Sequence, residues 1–197
     1  RKRVRIAPLA ARRIDGAVFE AVAAATLRRR KLDVDYRARS TGEATRRSIS
    51  PQRLVLYRDN WYLDAWCHMR NALRKFAVDA IAAARMTEER AKAVDMKSVE
   101  RELDAGYGVF GGESVQWARL RFTPGRARWV AAERWHAAQR SRTEADGHYV
   151  LEVPYSDPRE LTMDVLKYGA DVEVLAPESL RRQVADEIRR MAARLGD

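Results

Sequence analysis

Apolar residues follow two rhythms along this chain, and the switches between them mark out its elements. Ile14, Val18, Val22 and Ala25 recur at nearly every fourth position behind Asp15. That spacing predicts an amphipathic helix capped by Asp15 and closed by the cations Arg28-Arg29-Arg30-Lys31. Leu32, Val34 and Tyr36 then alternate with Asp33, Asp35 and Arg37, which predicts a half-buried strand. Thr41-Gly42 marks a turn, Arg46 to Ile49 reads as the return strand, and Pro51 interrupts it. Three apolar runs follow, Leu54 to Tyr57, Trp61 to Trp66 and Phe76 to Ile81, with a tight turn expected at Asp59-Asn60. Five short antiparallel strands after one helix can curl into a small open barrel of the SH3 or Sm type.

Residues 82–114 carry a weaker pattern. Ser98 is placed to cap a short helix through Leu103, and Gly106, Gly108, Gly111 and Gly112 read as connecting chain. Those glycines lack the lysine and the Ser or Thr that a phosphate-cradling P-loop requires. From residue 115 the alternation resumes, with Val115, Trp117, Arg119 and Arg121 opposite Gln116, Ala118, Leu120 and Phe122. Thr123-Pro124 opens a helix that turns Ala127 and Val130 inward. Asp146-Gly147 is a hairpin signal between His136–Thr143 and His148–Val153. Asp157-Pro158 starts a helix on Leu161, Val165 and Leu166 that stops at Gly169, and Val172 to Leu175 is a last strand. Pro177 opens a final helix with Leu180, Val184, Ile188, Met191 and Leu195 as its inward face. The order β-α-β-β-α-β is the split βαβ, or ferredoxin-like, pattern with one added helix. The fold class read from the pattern is therefore α+β. Its parts are a basic arm over 1–13, a barrel domain over 14–86, connecting chain over 87–114 and a ferredoxin-like domain over 115–197.

Composition adds a partner class. The 197 residues hold 38 Lys and Arg against 28 Asp and Glu, a formal charge of +10. Such a balance favours nucleic acid or phosphate-rich ligands, although an Arg- and Ala-rich composition also has compositional origins. Residues 1–13 hold six cations and no acid; Pro8 and the absence of periodicity favour connecting chain over a phosphate-touching arm. No apolar run approaches the ~20 residues of a membrane span, and no signal peptide is visible, so a cytoplasmic setting is expected. The single Cys67 excludes an internal disulfide, and with three scattered histidines it argues against a zinc site; no cofactor is expected.

Catalytic constellations are absent from the pattern. Asp33 and Asp35 point the same way on a strand and read as a solvated face. Cys67 and His68 are neighbours on a strand and therefore face opposite ways. Ser50 lacks a nucleophile elbow, and His136 and His148 could face each other across the hairpin without a carboxylate motif. No enzyme activity is expected. What remains is an aromatic and basic surface around the middle strand. Trp61, Leu63 and Ala65 share the face assigned to the core, and Tyr62, Asp64 and Trp66 share the other. Tyr62, with His68, Arg70, Arg74 and Lys75 at the strand ends, suits a flat anionic ligand, since bases stack on aromatics while cations hold phosphates.

The segment Ser-Pro-x-Arg-Leu-Val-x-x-x-x-x-Trp-Tyr-Leu-x-Ala, closing on Trp61-Tyr62-Leu63, resembles the WYL domain of bacterial transcriptional regulators. Arg74-Lys75-Phe76-Ala77-Val78-Asp79-Ala80-Ile81 is similar to that family's basic-x-Phe-x-x-Asp-Arg-Ile segment, with Ala80 where the family has arginine. Leu120-Arg121-Phe122, Glu133-Arg134-Trp135-His136, Asp146-Gly147, the run from Leu166 to Leu175 and Pro177-Glu178-Ser179-Leu180 resemble its WCX extension. The resemblance implies an Sm-like barrel followed by a ferredoxin-like domain, in the homodimeric, effector-sensing half of a regulator. It also implies single-stranded DNA, as in DNA-damage regulators, or a small cyclic or linear nucleotide as effector. A purely structural dimerisation domain is the other reading. Promoter duplex would be bound through an N-terminal winged helix-turn-helix, absent from this sequence, which begins at Arg1 and reads as a fragment; no membrane partner is expected. Tyr36, Ser50, Gln52, Tyr62, His68, Arg70 and Arg74 are the ligand-binding positions implied by the resemblance, with Lys75 or the cations of 28–31 substituting for the arginine missing at Ala80.

Overall fold

The computed structural model describes residues 11–39, 41–109 and 114–196, so most of the basic arm and part of the glycine-rich segment lie outside the described residues. The chain divides into two compact units, Arg1–Leu103 and Asp104–Asp197.

In the first unit, helix α1 (Gly16–Arg28) begins where expected: the Asp15 carboxylate accepts the backbone N–H groups of Ala17 and Val18. It ends earlier than the run of cations implied. Arg29 adopts a left-handed conformation that closes the helix, and Arg30 and Lys31 already belong to β1 (Arg30–Arg37). Strand β2 (Ala44–Tyr57) is one long strand where two were expected. It passes through Pro51 at a bulge, the register moving from Pro51 opposite Ala65 to Arg53 opposite Asp64. A bulge tolerates the missing proline N–H and leaves Gln52 as the extra residue. The β2–β3 turn lies one residue before its expected place. Arg58 and Asp59 are the two residues with positive φ, and Asn60 already pairs with Tyr57 at the start of β3 (Asn60–Cys67).

The third apolar run divides at a corner. β4 (Ala72–Ala77) ends in a 3-10 turn over Val78–Ala80, and Ile81 opens β5 (Ile81–Arg90). The sheet order is β4-β3-β2-β1-β5 with every pairing antiparallel. β5 was not expected. Its residues beyond Ile81 are mostly polar or small, because β5 pairs only with β1 and exposes its other face. Helix α2 (Met96–Leu103) follows. It starts two residues before Ser98, with the Asp95 carboxylate accepting the Ser98 N–H. The core joins Val18, Val22, Ala25, Leu32, Val34, Ile49, Leu63, Phe76, Val78 and Ile81. Trp61 packs against it with its ring edge-to-face on Phe19, centroids 5.3 Å apart.

In the second unit, β6 (Gln116–Phe122), α3 (Pro124–Val130), β7 (Arg140–Thr143), β8 (Tyr149–Tyr155), α4 (Pro158–Lys167), β9 (Val172–Ala176) and α5 (Glu178–Leu195) follow the expected β-α-β-β-α-β-α order. The strand order is β7-β8-β6-β9, again antiparallel throughout. Thr123 and Asp157 cap α3 and α4, each with proline inside the first turn. Two expectations change. β7 begins only at Arg140, so His136 does not face His148: it lies 3.2 Å from the Asp104 carbonyl, while His148 pairs with Asp146. The inward face of α5 stops at Val184; Ile188, Met191 and Leu195 are exposed.

The segment expected as connecting chain with one short helix holds the end of β5, then α2, and then a strap over residues 106–109 that belongs to the second unit's core. Tyr107 is buried there, its N–H bonded to the Pro154 carbonyl and its hydroxyl to Asp164, and its ring stacks on Trp135. Among the described residues no helix is long and apolar enough to cross a membrane.

Candidate nucleic-acid interface

The expected site residues fall in five places. Tyr36 and Arg74 stand on the core-facing side of the first sheet, at its rim. Tyr36 follows Leu32 and Val34 in the β1 alternation, and Arg74 lies opposite Ala65, two residues before Phe76. Between them the structure places Arg47, opposite Val34 on β2. Its guanidinium carbon lies 5.4 Å from the Tyr36 ring centroid and 5.9 Å from that of Phe76. The two rings cross edge-to-face with centroids 5.1 Å apart and an interplanar angle of 89°. Thr45 Oγ1 accepts Arg47 Nε at 2.9 Å. Among the described residues neither Arg47 nor Arg74 makes an ion pair, so both charges remain available to an anion. The sequence reading missed Arg47, although a signal was there: it alternates with Ile49 onto the core face two residues short of it, where a cation reaches the rim over aromatic rings.

Ser50, Gln52 and His68 gather on the opposite side of the sheet, where β2 meets residues 91–94. Ser50 is fully buried; its Oγ accepts the Lys92 N–H at 2.8 Å and lies 2.9 Å from His68 Nε2. Gln52, freed by the bulge, donates to the Ser50 and Lys92 carbonyls and accepts the Val94 N–H. Both side chains thus fasten the strand to the chain that follows β5, and the Ser50–His68 pair is closed off as a nucleophile. Lys92 Nζ stands 3.2 Å above the Trp66 ring, and Lys31 pairs with Glu89 at 2.6 Å. Burial, then the positive charges of Lys31 and Lys92, hold the His68 pKa below its ordinary 6.5. The folded state therefore takes up this proton later than the unfolded chain does, and acidification below 6.5 weakens folding through this group. An NMR titration of the His68 ring is expected to give a midpoint below 6.5 that rises in Lys92→Ala; an unchanged midpoint in the variant would remove the charge as a cause.

Tyr62 does not face solvent. It is 8% exposed, with the Arg12 guanidinium 5.8 Å from its ring centroid and donating to its hydroxyl at 3.2 Å. Arg12 also gives its backbone N–H to Asn60 and its side chain to the buried Asp79 carboxylate, which Arg39 holds from the other oxygen. Lys75 stands 3.9 Å from the fully buried Asp64 and donates to the Leu103 carbonyl, and Lys31 is paired with Glu89. Arg70 is exposed in the β3–β4 turn, which closes through Asn71 at φ 50°. Among the described residues no cluster of His, Cys, Asp or Glu is arranged to hold a metal ion.

Two family models match the chain, a WYL domain over residues 17–86 and a WCX domain over residues 114–192. Protein PafC of Mycobacterium tuberculosis is 34% identical over 167 residues, covering 84% of this chain and 51% of that protein. Protein PafC of Mycobacterium leprae is 29% identical over 170 residues, covering 83% of this chain and 49% of that protein. The chain thus spans about half the length of the curated relatives it matches. Among solved structures, the proteasome accessory factor B/C (PafBC) of Arthrobacter aurescens aligns over 96% of this chain and 29% of that one, with 24% identity and a TM-score of 0.40. A CRISPR Cas-related protein aligns over 89% of this chain and 52% of that one, with 17% identity and a TM-score of 0.54. With both domains present in order, the chain belongs to the WYL-domain proteins that carry a WCX extension.

Proposed function

We propose that this chain is the effector-sensing part of a transcriptional regulator, and that its first unit binds single-stranded DNA at the rim formed by Tyr36, Arg47 and Arg74. The observation that carries the reading is Arg47 lying over the crossed Tyr36 and Phe76 rings, with Arg74 two residues from Phe76 on the same face. Half-buried Tyr36 and the guanidinium plane offer stacking surfaces for bases, and the two unpaired arginines offer charge to phosphates. The formal charge of +10 works in the same direction at longer range. Binding would act on promoter affinity through a helix-turn-helix attached upstream, in a homodimer and in response to DNA damage. The fold names belong to the same reading: an Sm-like barrel for the sheet whose β2 bends at Pro51, and a ferredoxin-like domain for the β7-β8-β6-β9 sheet.

Fluorescence anisotropy with labelled oligonucleotides of increasing length tests this. Binding is expected to weaken as salt rises. Arg47→Ala and Arg74→Ala should each lower affinity by about tenfold and reduce the salt slope by about one. Salt-independent signals, or variants that bind like the wild type, would sink the reading. Saturation by a dinucleotide with no gain from longer strands would replace the strand with a small nucleotide as effector.

A further inference from the structure

We propose that the second unit carries a separate subsite for a nucleobase and its adjacent phosphate, on the sheet face turned away from its core. On β6, Ala118, Leu120 and Phe122 enter the core, so Trp117, Arg119 and Arg121 lie on the other face. The cross-strand partners there are Pro154, Glu152 and Val150 of β8, with Arg140 and Arg142 of β7 opposite Glu152 and Val150. Most of the cations on this face are matched. Arg119 pairs with Glu152 at 3.4 Å, Arg121 with Glu144 and Asp146 at 2.7 Å each, and Arg142 with Glu144 at 3.4 Å. Arg140 is the exception: among the described residues it has no acidic partner, and its guanidinium carbon lies 4.7 Å from the Trp117 ring centroid. Trp117 is 40% exposed, a large aromatic left on a solvated strand.

These groups border a cavity of 210 Å³ lined by Trp117, Ala118, Arg119, Arg140, Glu152 and Ala176. That is smaller than the roughly 300–1,000 Å³ of pockets that enclose whole small ligands, and it suits one ring system. The chemistry of the lining narrows the ligand. The indole and the guanidinium present planar surfaces for stacking, and Arg140 can meet one phosphate without giving up an ion pair. The Glu152 carboxylate receives a single contact from Arg119 and keeps acceptor capacity for the exocyclic amine of a base. A base carrying an amino group is therefore favoured over uracil. Because the acids cancel the other arginines, the face offers no continuous track for a backbone, and one nucleotide unit is the extent of the site. Neither the cluster at Arg47 nor the function proposed for it is needed for this subsite.

The test titrates the full chain with adenosine monophosphate, uridine monophosphate and a five-residue oligo-deoxyadenylate, reading affinity by calorimetry for every variant and intrinsic tryptophan fluorescence where Trp117 is kept. It is run in an Arg47→Ala/Arg74→Ala background so that the first unit's site is removed. Adenosine monophosphate is expected to quench saturably. Trp117→Ala and Arg140→Ala should each weaken binding by about tenfold, Arg140→Lys should recover part of the loss, and Glu152→Gln should erase the preference over uridine monophosphate. Equal affinity for the mononucleotide and the pentamer assigns the site to a free nucleotide; tighter binding of the pentamer assigns it to a strand. Disappearance of quenching in the background alone, or indifference to Trp117→Ala and Arg140→Ala, overturns the proposal. Both side chains are exposed on a strand surface, so these variants keep the fold.

Discussion

Asp64→Ala is expected to cost about 3–5 kcal/mol of folding stability, the range seen when one partner of a buried ion pair is removed. Asp64 sits in the middle of β3 and is fully buried. Arg53 lies opposite it on β2 and Lys75 opposite it on β4, so the three charges form one rung across three strands. Arg53 Nε donates to the carboxylate at 2.7 Å, and Lys75 Nζ is 3.9 Å from its other oxygen. Alanine would remove this negative charge from between the two cations, with the Lys75 side chain only 12% exposed. Arg53→Ala should also be costly, because it leaves the fully buried Asp64 carboxylate without its donor at 2.7 Å. Urea unfolding followed by circular dichroism measures both. A loss below about 1 kcal/mol for Asp64→Ala would show that the rung contributes little. The rung also reassigns Lys75. It is held by Asp64 and the Leu103 carbonyl, so Lys75→Ala is a stability variant before it is a binding variant.

The strands around Trp61-Tyr62-Leu63 were legible because local alternation set them. The same alternation separated Leu63 from Tyr62 correctly but misjudged what lies on the second face. Face assignment assumes a sheet with one wet side. Here Val99 and Leu103 close over Leu73 and Trp66 on one part of that side, and Arg12 closes over Tyr62. Those covers come from residues 11–12 and 94–103, so nothing near residue 62 signals them. β5 escaped for a related reason: an edge strand with an exposed face carries half the hydrophobic signal of a buried one. Pro51 gave a true sign of irregularity and a false sign of termination, because a bulge absorbs what would otherwise stop the strand. The candidate site was legible in part. Tyr36 and Arg74 were singled out and lie on one face with Arg47 between them, whereas Ser50 and Gln52 are occupied in fastening the backbone of 91–94.

Gly108→Ala should destabilise the second unit by about 3 kcal/mol, adding backbone strain to a lost buried hydrogen bond. Gly108 has a φ of 89°, a conformation that costs a residue with a Cβ. A Cβ at this position would stand 2.2 Å from Glu160 Oε2 and 2.9 Å from Glu160 Cδ. The carboxylate cannot simply swing away. Glu160 is 5% exposed on α4, and Oε2 accepts the Val109 N–H at 2.7 Å, so moving it breaks the bond that holds the strap down. Tyr107, one residue earlier, would lose support for its hydrogen bond to Asp164 and its stack on Trp135. Gly125→Ala is the matched control: it lies inside α3 with nothing within 4 Å of the methyl group that alanine would add, and alanine is the better helix former there. Thermal melts of the two variants should therefore move apart, Gly108→Ala downward and Gly125→Ala unchanged or slightly upward. Coincident melts would mean that residues 106–109 contribute no stability and serve only to connect the two units, as the glycine spacing first implied.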